Sequence, residues 1–174
     1  VYELLDFFKK YENADGLLEK LDSWVFLEWS RSNQLVQDIN FPSNMLYARM
    51  LEAVAVLYGD DALRTKATSL KETIRHKCFL GDFFCDNAVY DDDGVARLSG
   101  EATESCQYYA FFTGVATPRT FPKLWETLVN DFGPDRRTKG SYPQIAFANA
   151  FIGNYLRLEL LYREGLTEKV VENI

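Results

Sequence analysis

Glu28 lies between two tryptophans in Ser23-Trp24-Val25-Phe26-Leu27-Glu28-Trp29-Ser30. A carboxylate beside large flat rings suits a pyranose, whose C–H faces stack on aromatic surface while its hydroxyls seek acceptors. The plainer alternative is a packed loop in which Glu28 finds an internal salt-bridge partner. Asn44 closes this first cluster. In a second cluster Glu101 and Glu104 lead into the apolar run Cys106-Gln107-Tyr108-Tyr109-Ala110-Phe111-Phe112. Capping by Thr103 and the positive end of a helix account for both carboxylates without a ligand. Gln107 falls inside the apolar run, so it needs a partner, whether protein or ligand. In a third cluster Asn149 and Asn154 punctuate another apolar stretch and are expected to bond between helices.

Inverting glycoside hydrolysis uses two carboxyl groups roughly 6.5–9.5 Å apart, one protonated and one activating water. Glu28 and Glu104 could supply such a pair. Other chemistries lack their parts: no nucleophile elbow, P-loop, dinucleotide fingerprint or histidine triad occurs. His76 is the single histidine, and Cys78, Cys85 and Cys106 form no CxxC pair, so no zinc set is expected. Asp91-Asp92-Asp93-Gly94 lacks the spacing and closing glutamate of a calcium loop and reads as a turn.

A formal net charge of -7 disfavours nucleic acid and anionic membrane, both of which need a basic face. No run approaches the roughly 18 apolar residues of a membrane span. Scattered, apolar-flanked thiols predict free buried cysteines and a cytoplasmic protein, the alternative being a periplasmic or secreted parent with one disulfide. Aromatic residues make up 15% of the chain, enough either to fill helix-packing gaps or to stack on sugars.

These residues must be positioned by helices. Val1–Tyr11 carries Leu4, Leu5, Phe7, Phe8 and Tyr11 on one stripe and begins in mid-pattern without a cap, which predicts chain upstream. Residues 17–41 follow neither helical nor strand periodicity and read as a long, irregular connection. Pro42–Tyr58 and Asp60–Lys77 form a helical hairpin about Gly59, with Leu63, Ala67, Leu70 and Ile74 buried. Residues 79–98 read as a β-hairpin with an Asp-Gly turn. Helices are then expected over Thr103–Val115, Pro122–Phe132, Pro143–Glu164 and Leu166–Ile174. Helix starts near Pro42, Thr103 and Pro143 are about 61 and 40 residues apart, and removing the β-hairpin leaves a period near 40. The first helix of each pair is apolar nearly all round and the second one-sided, the pattern of an inner and an outer layer in an αα-toroid. The fold class expected is all-α, with the β-hairpin as an insertion.

Four segments, Ser23–Ser30, Phe41-Pro42-Ser43-Asn44-Met45-Leu46-Tyr47-Ala48, Glu104–Phe112 and Ala148-Asn149-Ala150-Phe151-Ile152-Gly153-Asn154-Tyr155-Leu156-Arg157, together resemble the α-L-rhamnosidase-like proteins of glycoside hydrolase family 78. The resemblance implies an (α/α)6 toroid, of which residues 1–174 would be about half. It also implies cofactor-free, inverting hydrolysis of terminal α-L-rhamnosides. The family's general acid belongs to a motif before this region and its general base to one after it, and neither motif occurs here. The resemblance therefore argues against a Glu28–Glu104 pair and implies an inactive piece. It carries over Trp29 to the sugar pocket, with Glu28 beside it and Gln107 opening a later inner helix. Trp24 and Asn44 complete the expected substrate contacts. Half a ring would expose two apolar flanks, which predicts self-association. The rival readings are a helical-repeat module that binds a peptide and a toroid glycosidase of other sugar specificity.

Overall fold

The computed structural model describes residues 1–22 and 24–173. Ser23 and the expected helix end at Ile174 lie outside them. Among the described residues the order is α1 (Tyr2–Lys9), a 3-10 turn (Arg31–Gln34), β1 (Ile39–Asn40), α2 (Phe41–Tyr58), α3 (Asp61–Cys78), β2 (Asn87–Tyr90), β3 (Ala96–Leu98), α4 (Glu104–Phe112), α5 (Pro122–Asn130), α6 (Arg136–Lys139), α7 (Ile152–Arg163) and α8 (Thr167–Val171). About half of the chain is helical.

The α2–α3 hairpin follows the expected punctuation. Asn40 accepts from the Ser43 amide at 2.9 Å to start α2, and Gly59 ends it in the left-handed region that glycine tolerates best. The Asp60 carboxylate then accepts from the Leu63 amide at 3.0 Å. Ala67, Leu70 and Ile74 of the predicted stripe are buried and Leu63 half-buried. On α1 the stripe is only partly used, with Leu5 buried while Leu4 and Phe7 face solvent.

The predicted β-hairpin is present, with Val89 opposite Arg97, but it belongs to a three-stranded antiparallel sheet because β1 pairs with β2. Two-residue strands have no readable period, which hid β1 in the irregular connection. Asp91 holds the turn by accepting from the Val95 amide at 2.8 Å.

The largest departure concerns Pro143–Glu164. Only Ile152–Arg163 is helical, and the apolar residues before it form an extended crossing. Ala146 bridges Thr103 in parallel: its carbonyl accepts from the Glu104 amide at 2.9 Å, and its amide donates to Ala102 at 3.1 Å. The long-range pairing outcompetes a helix that composition alone allows. The third repeat consequently starts at Ile152, and the period near 40 is not kept. The helix expected from Thr103 ends at Phe112.

Helix α4 packs between α2 and α7, with α3 against α2 and α8 against α7. Every residue of α4 from Glu104 to Phe111 is buried, as a helix apolar on all sides requires. One continuous core runs from Leu5 through Met45, Ile74, Phe84, Tyr108 and Leu128 to Leu160.

Candidate functional site

The N-terminal ends of α2, α4 and α7 are knitted together by polar side chains that leave the apolar core intact. Glu28 is fully buried. One of its oxygens accepts from the Gly153 amide at 2.6 Å, and the other from the hydroxyls of Ser30, at 2.7 Å, and Ser105. Its carboxylate thus ties the Trp24–Ser30 loop to the first turns of α4 and α7. Gly153 is what admits it: a Cβ there would lie 2.5 Å from Glu28 Oε1 and would also collide with the Ala148 side chain.

Glu104, also buried, accepts from the Ala148 amide at 2.7 Å and lies 2.7 Å from Arg136 Nη1. The latter is a charge contact without hydrogen-bond alignment. The Arg136 guanidinium donates onward to the carbonyls of Ser141 at 3.0 Å, Tyr142 at 2.6 Å and Ile145. It therefore shapes the extended crossing, where Tyr142 takes a φ of 50°. Arg157 similarly closes the last turn of α5, donating to the carbonyls of Leu128 and Val129.

Asp86 is the third buried carboxylate. It accepts from the Thr103 amide at 2.7 Å and from the hydroxyls of Thr103 at 2.9 Å and Ser32 at 3.2 Å. Burial pushes its carboxyl up to about 7, against the pull of those donors. Thr103 meanwhile caps α4 through the Cys106 amide at 3.1 Å.

Other predicted positions divide between interior and surface. Gln107 is fully buried: its carbonyl accepts from the Phe84 amide at 2.8 Å, and its amide donates to Phe84 and Thr103, both at 2.9 Å. Asn44, buried as well, exchanges two bonds with the Leu18 backbone and donates a third to Asn40. Their partner is protein backbone in each case. Glu28 and Glu104, the pair considered for acid–base chemistry, are both buried and accept from internal donors, Glu104 also lining a cavity of about 300 Å³. Glu101 caps nothing and sits at the surface, 3.3 Å from Arg31.

Trp29 and Trp24 do face solvent, 63% and 78% exposed. They belong to a run of four rings, Trp24, Phe26, Trp29 and Phe151, with successive centroids 5.3, 4.8 and 5.4 Å apart. Asn149 fixes the run from below: its amide donates to the Trp29 carbonyl at 3.0 Å, and its oxygen accepts from the Phe151 amide at 2.9 Å. This is a bond between loops rather than helices. Beside the rings, Trp29, Ser30, Arg31, Arg137, Phe147 and Asn149 line an open cleft of about 360 Å³. A second cavity of about 300 Å³ shares the Phe147–Ala150 wall and reaches Asn154, Tyr108 and Arg157.

No protein-family model matches the chain, and neither does any curated protein sequence. Among solved structures it is similar to the crystal structure of a glycoside hydrolase family 78 rhamnosidase of Bacillus sp. GL1. What they share is a fold. The TM-score is 0.76 at 21% identity, over 98% of this chain and 17% of that one, so the chain spans about a sixth of the enzyme's length.

The three cysteines are free and buried, and burial pushes the thiols of Cys78 and Cys106 well up. Sequence reasoning missed Phe26, Phe151, Asp86, Arg136, Arg137 and Gly153. Asp86 carried one signal, a charged residue inside the apolar Phe83–Val89 run. The arginines carried none, since Gly133-Pro134-Asp135-Arg136-Arg137 reads as a polar turn.

Proposed function

We infer that this chain is a segment of a glycoside hydrolase of the α-L-rhamnosidase type, one partial domain of an (α/α)6 toroid, and that it forms part of a saccharide-facing wall. The observation that carries the reading is the ladder Trp24–Phe26–Trp29–Phe151, exposed at Trp24, Trp29 and Phe151 and held by the buried Glu28 clamp and the Asn149 bridge. Three large exposed rings packed about a half-buried fourth cost solvation unless something covers them, and the C–H faces of a pyranose are a surface that such rings can cover. The similarity in fold to a rhamnosidase supports a hydrolase parent.

In this reading Trp29 and Trp24 contact the sugar, while Glu28, Gln107 and Asn44 act one layer deeper by fixing the backbone. Both catalytic carboxyl groups then come from chain outside residues 1–174. The 174-residue chain is accordingly expected to bind saccharide weakly and to leave an aryl α-L-rhamnoside intact. Titration calorimetry with neutral oligosaccharides, repeated with Trp29→Ala, tests the binding, and release of the aryl group tests the inactivity. Turnover by the chain alone, or binding untouched by Trp29→Ala, would overturn the assignment.

A further inference from the structure

The cleft beside the ladder has a charge character opposite to that of the whole molecule. The chain carries a formal net charge of -7, yet the cleft lining includes the guanidiniums of Arg31 and Arg137 and no carboxylate. Two nearby carboxylates are engaged elsewhere, Glu28 with its three internal donors and Glu104 with Arg136 and Ala148. Glu101 lies 3.3 Å from Arg31 at the surface, a pair that solvent screens, and Asp135 lies 4.0 Å from Lys139.

Arg137 differs from Arg31. Among the described residues no carboxylate lies within ion-pairing distance of it; its guanidinium rests over the Phe147 ring, 4.6 Å from the centroid. Arg136 lies over that same ring at 4.4 Å, so two cations pack on one aromatic side chain and neither neutralises the other. A planar guanidinium stacked in this way keeps its donor edge free for a carboxylate, which it can engage in two parallel bonds. Asn149 and Trp29 also line the cleft.

We propose that this cleft selects an anionic sugar, with the carboxylate of a uronate residue on Arg137, assisted by Arg31, while the neighbouring ring of the saccharide stacks on Trp29. The assignment rests on the saccharide reading above and sharpens its substrate class. A polyanion such as nucleic acid meets the repulsion of the whole chain, whereas one carboxylate on a neutral ring feels mainly the local guanidiniums.

Calorimetry with a disaccharide of one D-galacturonate and one neutral hexose, and with its methyl ester, separates charge from shape, because the ester keeps the rings and removes the anion. The acid is expected to bind about tenfold tighter than the ester, a gap of about 1.4 kcal/mol. That gap should narrow as salt is raised. Arg137→Gln should remove most of the gap by weakening the acid far more than the ester, while Trp29→Ala should weaken both ligands. Near-ultraviolet circular dichroism confirms that each variant is folded. Equal affinity for acid and ester, or a gap that survives Arg137→Gln, overturns the uronate assignment and leaves the saccharide wall standing. Binding of neither ligand overturns both.

Discussion

The α2–α3 hairpin and the crossing from Gly133 to Gly153 solve the same problem, joining helices into one core, by opposite means. The hairpin relies on many small terms: a buried stripe, two caps and solvent-exposed ion pairs such as Arg64 with Asp61 at 3.3 Å. The crossing relies on a few buried charges, Glu28, Glu104 and Arg136, each bonded to its backbone, the first two from distant parts of the chain. Distributed stabilisation tolerates the loss of any one part. Concentrated stabilisation does not, because removing one partner strands the other charge away from water.

The sharpest way to break the contrast is Glu104→Ala, which leaves Arg136 uncompensated in the interior. The expected cost is about 3–5 kcal/mol by denaturant unfolding, and loss of protection in 141–153 should lead it in hydrogen exchange. A cost below that of a helix cap would remove the distinction between the regions.

Next in size is a pH effect. Asp86 holds its proton up to about 7 when folded, well above its ordinary 3.8, so the native state binds the extra proton between those values. Stability must therefore fall as pH rises through that window, by about 2–3 kcal/mol between pH 5 and 8. Thermal unfolding across that range should show the decline, and Asp86→Asn should flatten it. A decline unchanged in the variant would place its origin elsewhere.

Gly153→Ala tests the close approach. Alanine is the better helix former by about 1 kcal/mol, so an uncrowded site would gain stability. The collision with Glu28 and Ala148 instead predicts a loss of about 1–3 kcal/mol. In the hairpin, Asp60→Ala removes a single cap and should cost about 1 kcal/mol. Arg64→Ala, at an exposed pair, should shift the unfolding midpoint by less than about 0.5 kcal/mol.

The same contrast explains what could be read in advance. Gly59, Asp60 and the spacing of Ala67, Leu70 and Ile74 are local signals, and they place the hairpin to within a residue or two. Ile145 to Ile152 carries an equally good helical composition, but its conformation is decided by Thr103, Arg136 and Glu28, which lie up to 125 positions away from their partners here. No local pattern encodes that. At the site, Trp24 and Trp29 were visible as residue types beside Glu28. That Glu28 turns inward, and that Phe151 extends the rings from the far side of the sequence, depends on the Gly153 contact. Gln107 announced its need for a partner, and the Phe84 backbone supplied one.

The Asn149 bridge under Trp29 and Phe151 has a consequence for how such a surface can change over time. The rings look outward while their main chain is fastened from beneath by Asn149 and Glu28, so the shape of the platform is set by side chains other than the rings themselves. Exchanging one ring for another alters what the surface prefers without disturbing how it is held. What the rings present and how they are held can therefore change separately, one aromatic residue at a time.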